Sequence, residues 1–402
     1  MMRSTVKLGT VAATLAALTL GAATQAFAAA PQAGQLPPLD PAALQAAIQP
    51  QPGDGVAGVI ARVGEPGGRL WRGSSTDQVT GRQIPANAHF HIGSISKAFE
   101  ATVVLQLAAE GRIDLDQTVQ YYLPGLLPDD FQPITVRELL NHTSGLPDVD
   151  EGAPAQSNDQ LIADRADYRT FDQIIQQTLR PAHRPWPGPH FAPGTEQEYN
   201  SLGYRIAGKL IEQVTGHSFR DEVSERILQP LHLDQTSVPE DHLAMPRPYL
   251  HGYLTNSQGV NVDVSEQGGD PSNMISTPAD LDHFITALFK GKLLPAAQLD
   301  EMFTFPKGDD GKVVPYAGTF ECAVNGKPGP ACFGAGLMAT PLPGGQLLWG
   351  KTGHDLGYAN GMFATRDLTM RGVFSLSNTT GNDGPNELSS RLLMAVLMPH
   401  KN

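Results

Sequence analysis

The 402-residue chain carries 41 acidic against 28 basic side chains, a formal charge of −13, and 40% hydrophobic residues. That length holds one large domain or two ordinary ones with an ample core. The acidic balance disfavours nucleic acid and anionic lipid as partners and favours solubility.

Residues 1–28 read as a secretory signal. Arg3 and Lys7 form a basic head, an apolar stretch follows, and Ala26-Phe27-Ala28 is a small-x-small cleavage site. The apolar stretch is too short to span a bilayer, and no cysteine follows the cleavage site to carry a lipid. No stable membrane insertion is expected, and the mature protein is expected to be secreted or periplasmic. Residues 29–41 form a Pro/Ala/Gln-rich flexible leader, and a catalytic unit is expected over 42–402.

ALQAAI suggests a first helix, and GVAGVIARVG and RLWRG read as paired strands divided by the turn EPGG. Residues 94–110, SISKAFEATVVLQLAAE, are apolar nearly all round and predict a buried helix ending at Gly111. From about 115 to 300 helical patterns dominate, as in YRIAGKLIEQVTG and ADLDHFITALFKG, each closed by a glycine. Strands return in FGAGLMATPL, QLLWGKTG, YANGMFATRD and MRGVFSLSN, before a closing helix, ELSSRLLMAVLM. The order predicts an α/β (α+β) protein. A sheet subdomain over about 42–93 and 305–402 receives a mostly helical subdomain over about 94–304, with any ligand cleft at their junction. Cys322 and Cys332, in ECAVNGKPGPAC, are expected to form a disulfide worth about 2–3 kcal/mol. With no nearby histidine pair they do not make a zinc site.

Residues 344–355, GGQLLWGKTGHD, satisfy two patterns at once. Gly345-x-x-x-x-Gly350-Lys351-Thr352 spells a phosphate-binding loop, and Lys351-Thr352-Gly353 is the third motif of penicillin-recognising serine enzymes. A phosphate loop needs a glycine-rich turn leading into a helix. Here the interior, Gln346-Leu347-Leu348-Trp349, suits a strand, and the following GHDLGYANG cannot start a helix. Export would also remove the protein from ATP. The serine-enzyme pattern gains from Ser94-x-x-Lys97 at the start of the buried helix, where one helical turn puts both side chains on one face. Burial disfavours the lysine's charged form, which a base for Ser94 would require, and the helix N-terminus adds backbone donors. Tyr199, in PGTEQEYNS, precedes the helix YRIAGKLIEQVTG and can project into the cleft, where Lys351 would favour its phenolate.

In this order, and with the stretches ITVRELLNHTSGL and FAPGTEQEYNSLGY, these sites resemble serine β-lactamases and penicillin-binding proteins. The resemblance covers essentially the whole mature chain and is nearest to the class C-like branch holding secreted D-alanyl-D-alanine carboxypeptidases. It implies a β-lactamase/transpeptidase-like fold, an antiparallel sheet flanked by helices. It implies acyl transfer in which Ser94 attacks, Lys97 helps deprotonate it and Tyr199 passes a proton to the leaving group. Backbone N–H groups of Ser94 and His354 would form the oxyanion hole, and Lys351 and Thr352 would hold a substrate carboxylate. No metal or organic cofactor is implied, and a monomer acting on D-Ala-D-Ala peptides and β-lactams is expected. β-Lactamase, esterase and D-amino-acid peptidase share the fold and differ in how fast water reaches the acyl-enzyme. A non-catalytic binding module is the remaining alternative.

Two departures bear on substrate. The family's Tyr-x-Asn reads Tyr199-Asn200-Ser201 here, putting a shorter hydroxyl where an amide is usual. Related carboxypeptidases also carry an arginine on the strand before the third motif, whereas FGAGLMAT has Met338 in that region and no arginine. His89 and His91 alternate along a strand without further partners at metal-ligand spacing, and His142 is expected to fix a turn by hydrogen bonds.

Overall fold

A computed structural model describes residues 38–65, 69–149, 156–181, 188–318, 321–322, 327–342, 345–381 and 387–397. The expected signal and most of the leader lie outside them, as do parts of the turns at 66–68 and 343–344. Six strands make one antiparallel sheet in the order β2-β1-β10-β9-β8-β7. They are β1 (Val56–Gly64), β2 (Leu70–Ser74), β7 (Met338–Pro341), β8 (Leu347–Asp355), β9 (Tyr358–Thr365) and β10 (Arg371–Asn378). β1 pairs with β10 from Val56↔Asn378 to Gly64↔Arg371, so the two ends of the chain are joined at the centre of the sheet.

Alternation along the strands feeds two cores, as a period of two requires. On one face Val59, Ala61, Val63, Leu348 and Leu376 pack against helices α1 (Pro41–Ala47) and α5 (Glu387–Leu397) through Leu44, Leu388 and Leu392. On the other, Ile60, Trp349, Met362 and Val373 meet α2 (Ser96–Ala109) and α4 (Pro278–Phe289), where Phe99 stacks on Phe284. Helix α3 (Leu202–Thr215) ends at Gly216, whose φ of 78° suits a residue without a Cβ. Small two-stranded sheets pair β3 (Phe90–His91) with β6 (Ile275–Ser276) and β4 (Tyr253–Thr255) with β5 (Asn261–Asp263).

The architecture is the β-lactamase/transpeptidase-like fold that the sequence predicts, with local differences. The short strands at 253–276 fall where a helical pattern was expected, in a Gly/Ser/Asn-rich stretch that turns too often for a helix. The strand expected over FGAGLMATPL contracts to Met338–Pro341. Its leading part folds instead into a turn, Gly334 N–H donating to Leu337 O, with Gly336 at φ 76°. A Cβ on Gly336 would lie 2.6 Å from the Ala101 Cβ and 3.1 Å from the Lys97 carbonyl, so this turn is pressed onto α2. Cys322 and Cys332 form the expected disulfide. No helix among the described residues is long and apolar enough to cross a membrane.

Candidate active site

β7 pairs with β8 only as far as Gly350, so Lys351–Asp355 continue past the end of β7. A 3-10 turn, Gly93–Ile95, leads into α2 and packs against this stretch. The contact is backbone to backbone. Gly93 has φ 52°, and a Cβ there would fall 2.3 Å from the His354 carbonyl oxygen and 2.7 Å from its nitrogen. A Cβ on Gly353 would fall 2.0 Å from the Ile92 carbonyl oxygen. Both glycines are therefore obligatory, and their interlock brings Ser94 beside the Lys351-Thr352-Gly353 stretch. The sequence predicts α-helix from residue 94; the tighter turn, with α-helix only from Ser96, is the consequence of this approach.

The Ser94 hydroxyl receives two hydrogen bonds, from Lys97 Nζ at 3.1 Å and from the Tyr199 hydroxyl at 2.7 Å. Lys97 is 1% exposed and Lys351 2% exposed, so both ammonium groups are withdrawn from water, while Ser94 and Tyr199 are only half-buried. Lys351 Nζ lies 4.5 Å and Lys97 Nζ 5.2 Å from the Tyr199 ring centroid. Lys351 also donates to the carbonyl and hydroxyl oxygens of Thr352, at 3.1 and 3.3 Å, and Thr352 itself is exposed. Burial alone would push the Tyr199 phenol up. The charges of Lys351 and Lys97, with the Ser94 hydrogen bond, outweigh that and hold it below the usual phenol range. Burial, reinforced by Lys97, lowers Lys351, and Tyr199 opposes the shift.

The structure thus brings together Ser94, Lys97, Tyr199, Lys351 and Thr352, with the His354 backbone against the Gly93 turn. Ser201 is adjacent, but among the described residues no hydrogen bond joins its hydroxyl to Lys97; its N–H donates to Asp148 Oδ1 at 2.7 Å. Asn200 does not substitute for the missing amide. Its Nδ2 donates to the carbonyls of Leu146 and Pro147 at 2.8 and 2.7 Å, and its Oδ1 accepts the Gly203 N–H at 2.6 Å. Both ends of that amide are committed to holding the loop. The stretch that spells a phosphate loop is strand β8. The His89 and His91 rings bond to backbone, Nδ1 of the first to Pro248 O at 2.9 Å and Nε2 of the second to Ser265 O at 3.0 Å.

Asp148 and Gln197 escaped the sequence reading of the site, and His142 does more than fix the turn expected of it. Asp148 is buried beside Ser201; burial raises its carboxyl, and the N–H groups of Ser201 and Val149 pull it back. His142, at φ 62°, does fix a turn, accepting the Asn200 N–H on Nδ1 at 3.2 Å and the Glu198 N–H on its carbonyl at 3.0 Å. Its ring also backs Tyr199, with centroids 4.8 Å apart. Burial, then the charges of Lys97 and Lys351, holds that imidazole well below its usual range, so a neutral ring faces the phenol. Gln197, 0% exposed, ties the Tyr199 loop to the disulfide segment. Its Nε2 donates to Asn141 O at 2.7 Å and Phe333 O at 3.0 Å, and its Oε1 accepts the N–H of Cys332 at 2.9 Å and of Phe333 at 3.1 Å. Phe333 in turn packs on Tyr199, with centroids 5.6 Å apart. Gln197→Ala is expected to leave several buried groups unpaired, costing about 2–4 kcal/mol in a denaturant titration, with a smaller fall in activity as Tyr199 loosens. No change in the unfolding midpoint would mean that water replaces the amide.

A hydroxyl held between a lysine and a phenol of lowered pKa, beside a strand edge, is an arrangement for nucleophilic attack on a carbonyl. The chain as a whole is similar to known hydrolases. Residues 44–397 match the family described as Beta-lactamase. A D-stereospecific amidohydrolase from Streptomyces sp. superposes with a TM-score of 0.72 at 31% identity, covering 89% of this chain and 98% of that one. Esterase EstB of Burkholderia gladioli is 28% identical over 371 residues, 84% of this chain and 89% of its own. Penicillin-binding protein 4* of Bacillus subtilis (strain 168) is 25% identical over 249 residues, and the match spans about half of that protein's length, 52%. The chain belongs to the Beta-lactamase family, within the superfamily of serine hydrolases that includes the penicillin-binding proteins.

Proposed function

We propose that the protein is an exported serine amidohydrolase that cleaves amides and short peptides of D-amino acids through an acyl-enzyme on Ser94. Tyr199, the nearer of the two groups on Ser94, takes the hydroxyl proton as Oγ attacks the carbonyl, and returns it to the leaving amine. Lys97 and Lys351 keep the phenolate form available. The backbone N–H groups of Ser94 and His354 receive the oxyanion, a contribution of about 10²–10³ in rate. Water then enters by the same route to release the acid.

The observation that carries the substrate class is the supply of positive charge. A carboxypeptidase must pair its substrate's terminal carboxylate, yet β7 reads MATP, without arginine. Arg205, buried near Tyr199, is held by Asp270 at 2.7 Å. Among the described residues Lys351 and Lys97 remain at the site, Lys351 already bonded to Thr352 and Lys97 to Ser94. A neutral amide suits this cleft better than a carboxylate. The near full-length likeness to a D-stereospecific amidohydrolase supports the same substrate and its configuration. D-Ala-D-Ala carboxypeptidase activity with penicillin binding is the second reading, favoured by Lys351 and Thr352 standing where a carboxylate would dock. The disulfide and the signal-like leader support export.

The test is kcat/KM on paired D- and L-amino-acid amides, a D-Ala-D-Ala peptide, and benzylpenicillin followed by intact mass. A preference of at least about 100-fold for the D-amide is expected, with weaker turnover of the carboxylate-terminated peptide. Equal rates on the two enantiomers would remove the configuration. Faster cleavage of the D-Ala-D-Ala peptide, with a lasting penicillin adduct, would install the second reading.

A further inference from the structure

Ser94, Lys97 and Glu100 follow one another at intervals of three from the 3-10 turn into the start of α2, so each lies one turn below the last. Glu100 is 0% exposed, and neither carboxyl oxygen has a partner in good hydrogen-bond geometry among the described residues, the Ser272 hydroxyl being near enough only to favour its charge. A carboxyl so placed is costly, and an apolar residue would complete the apolar helix at no such cost. The groups that face it come from three elements. Lys97 lies on its own helix, Arg205 and Tyr204 on α3, and Asp270 and Ser272 on the loop before β6. Three of these are engaged elsewhere. Arg205 pairs with Asp270 at 2.7 Å, the Ser272 hydroxyl donates to Asp270 Oδ1 at 2.7 Å, and the Tyr204 hydroxyl donates to Leu140 O at 2.7 Å. Lys97 has no carboxylate hydrogen-bonded to it among the described residues; its neighbours in the site are the Ser94 hydroxyl and the Tyr199 phenol.

We propose that Glu100 is a positioning residue that decides which of the two groups on Ser94 is the base: its ionised carboxylate holds Lys97 as the ammonium, which leaves Tyr199 as the phenolate. The proton shared by Lys97 and Tyr199 has two resting places. With the carboxylate one turn below Lys97, the ammonium–phenolate form is favoured. With that charge removed, the buried lysine loses one of the anions that bear on it, Asp148 and the phenolate remaining, and the neutral-amine–phenol form gains. Glu100 is pushed up to about 7 by burial, which Arg205 and Lys97 only partly offset. The hold on Lys97 is therefore present above neutrality and withdrawn as pH falls through that value, giving the reaction an acid limb set by a residue that never meets substrate.

The inference rests on the proposed action of Tyr199 on Ser94, and its test reads Tyr199 without a substrate. Tyrosinate absorbance is titrated in the full chain with Glu100 intact and with E100Q, each against the same protein carrying Tyr199→Phe to isolate Tyr199. The Tyr199 midpoint is expected to move up by at least about one pH unit in E100Q. An unchanged midpoint would overturn the proposal, and so would a downward shift, which is what simple removal of a negative charge gives. Should E100Q fail to fold, E100D draws the carboxylate back by one methylene and should move the midpoint the same way by less; no movement there overturns the proposal equally. Fluorophosphonate labelling of Ser94 in these proteins separates the two ideas. An upward shift with Ser94 unlabelled supports the role of Glu100 and sinks the acyl-enzyme reading alone.

Discussion

Ser94→Ala is expected to abolish hydrolysis of every substrate the protein accepts, a fall on the order of 10⁴–10⁶ in kcat. Its Oγ is the atom on which the hydrogen bonds of Lys97 and Tyr199 converge. The loss should be chemical and not structural. The Ser94 side chain caps no helix, and the turn it occupies is fixed by the Gly93 and Gly353 contacts, which the substitution leaves alone. Stability should stay within about 1 kcal/mol of the parent. Hydrolysis of a chromogenic ester, read beside a thermal melt, checks both halves. A folded variant that kept a tenth of the parent rate would remove Ser94 as the nucleophile.

The parts of this site that the sequence discloses are those built from local spacing. Ser94 and Lys97 are one turn apart on a helix whose other positions are apolar, and Lys351-Thr352-Gly353 lies on a strand announced by QLLW. Those periods survive folding because each element is buried as its pattern demands. What stays hidden depends on pairings across the chain. Gln197 reaches Phe333 over 136 positions, and Asn200 bonds carbonyls 53 and 54 residues earlier. No local pattern marks a glutamine as the tie between a catalytic loop and a disulfide segment. His142 shows the mixture. Its place before Thr143-Ser144-Gly145 announces a turn, but its ring meets Tyr199 only because the chain returns 57 residues later. Glu100 does not stand out in the sequence, where the helix reads as apolar nearly all round; its burial beside Lys97 emerges only from the packing of α3 and the loop before β6.

Tyr199→Phe is expected to lower kcat by about 10²–10⁴ while leaving KM and stability nearly unchanged. The substitution removes the hydroxyl that lies 2.7 Å from Ser94 Oγ and nothing else. The packing of the ring on His142 at 4.8 Å and on Phe333 at 5.6 Å does not involve that oxygen. Lys97, at 3.1 Å from Ser94, is then the only remaining proton acceptor on Oγ, and it accepts only as the neutral amine. The pH limb belonging to the phenolate should therefore vanish from the residual rate. The sign follows from the site's own charges. Lys351 and Lys97 depress the phenol, so the parent reaches its phenolate form at a lower pH than an ordinary phenol would. A pH profile of kcat/KM for the two proteins decides the matter. If the Phe variant kept the parent's profile and rate, Lys97 would be the base at all pH values, and Tyr199 would be left with the leaving-group proton at most.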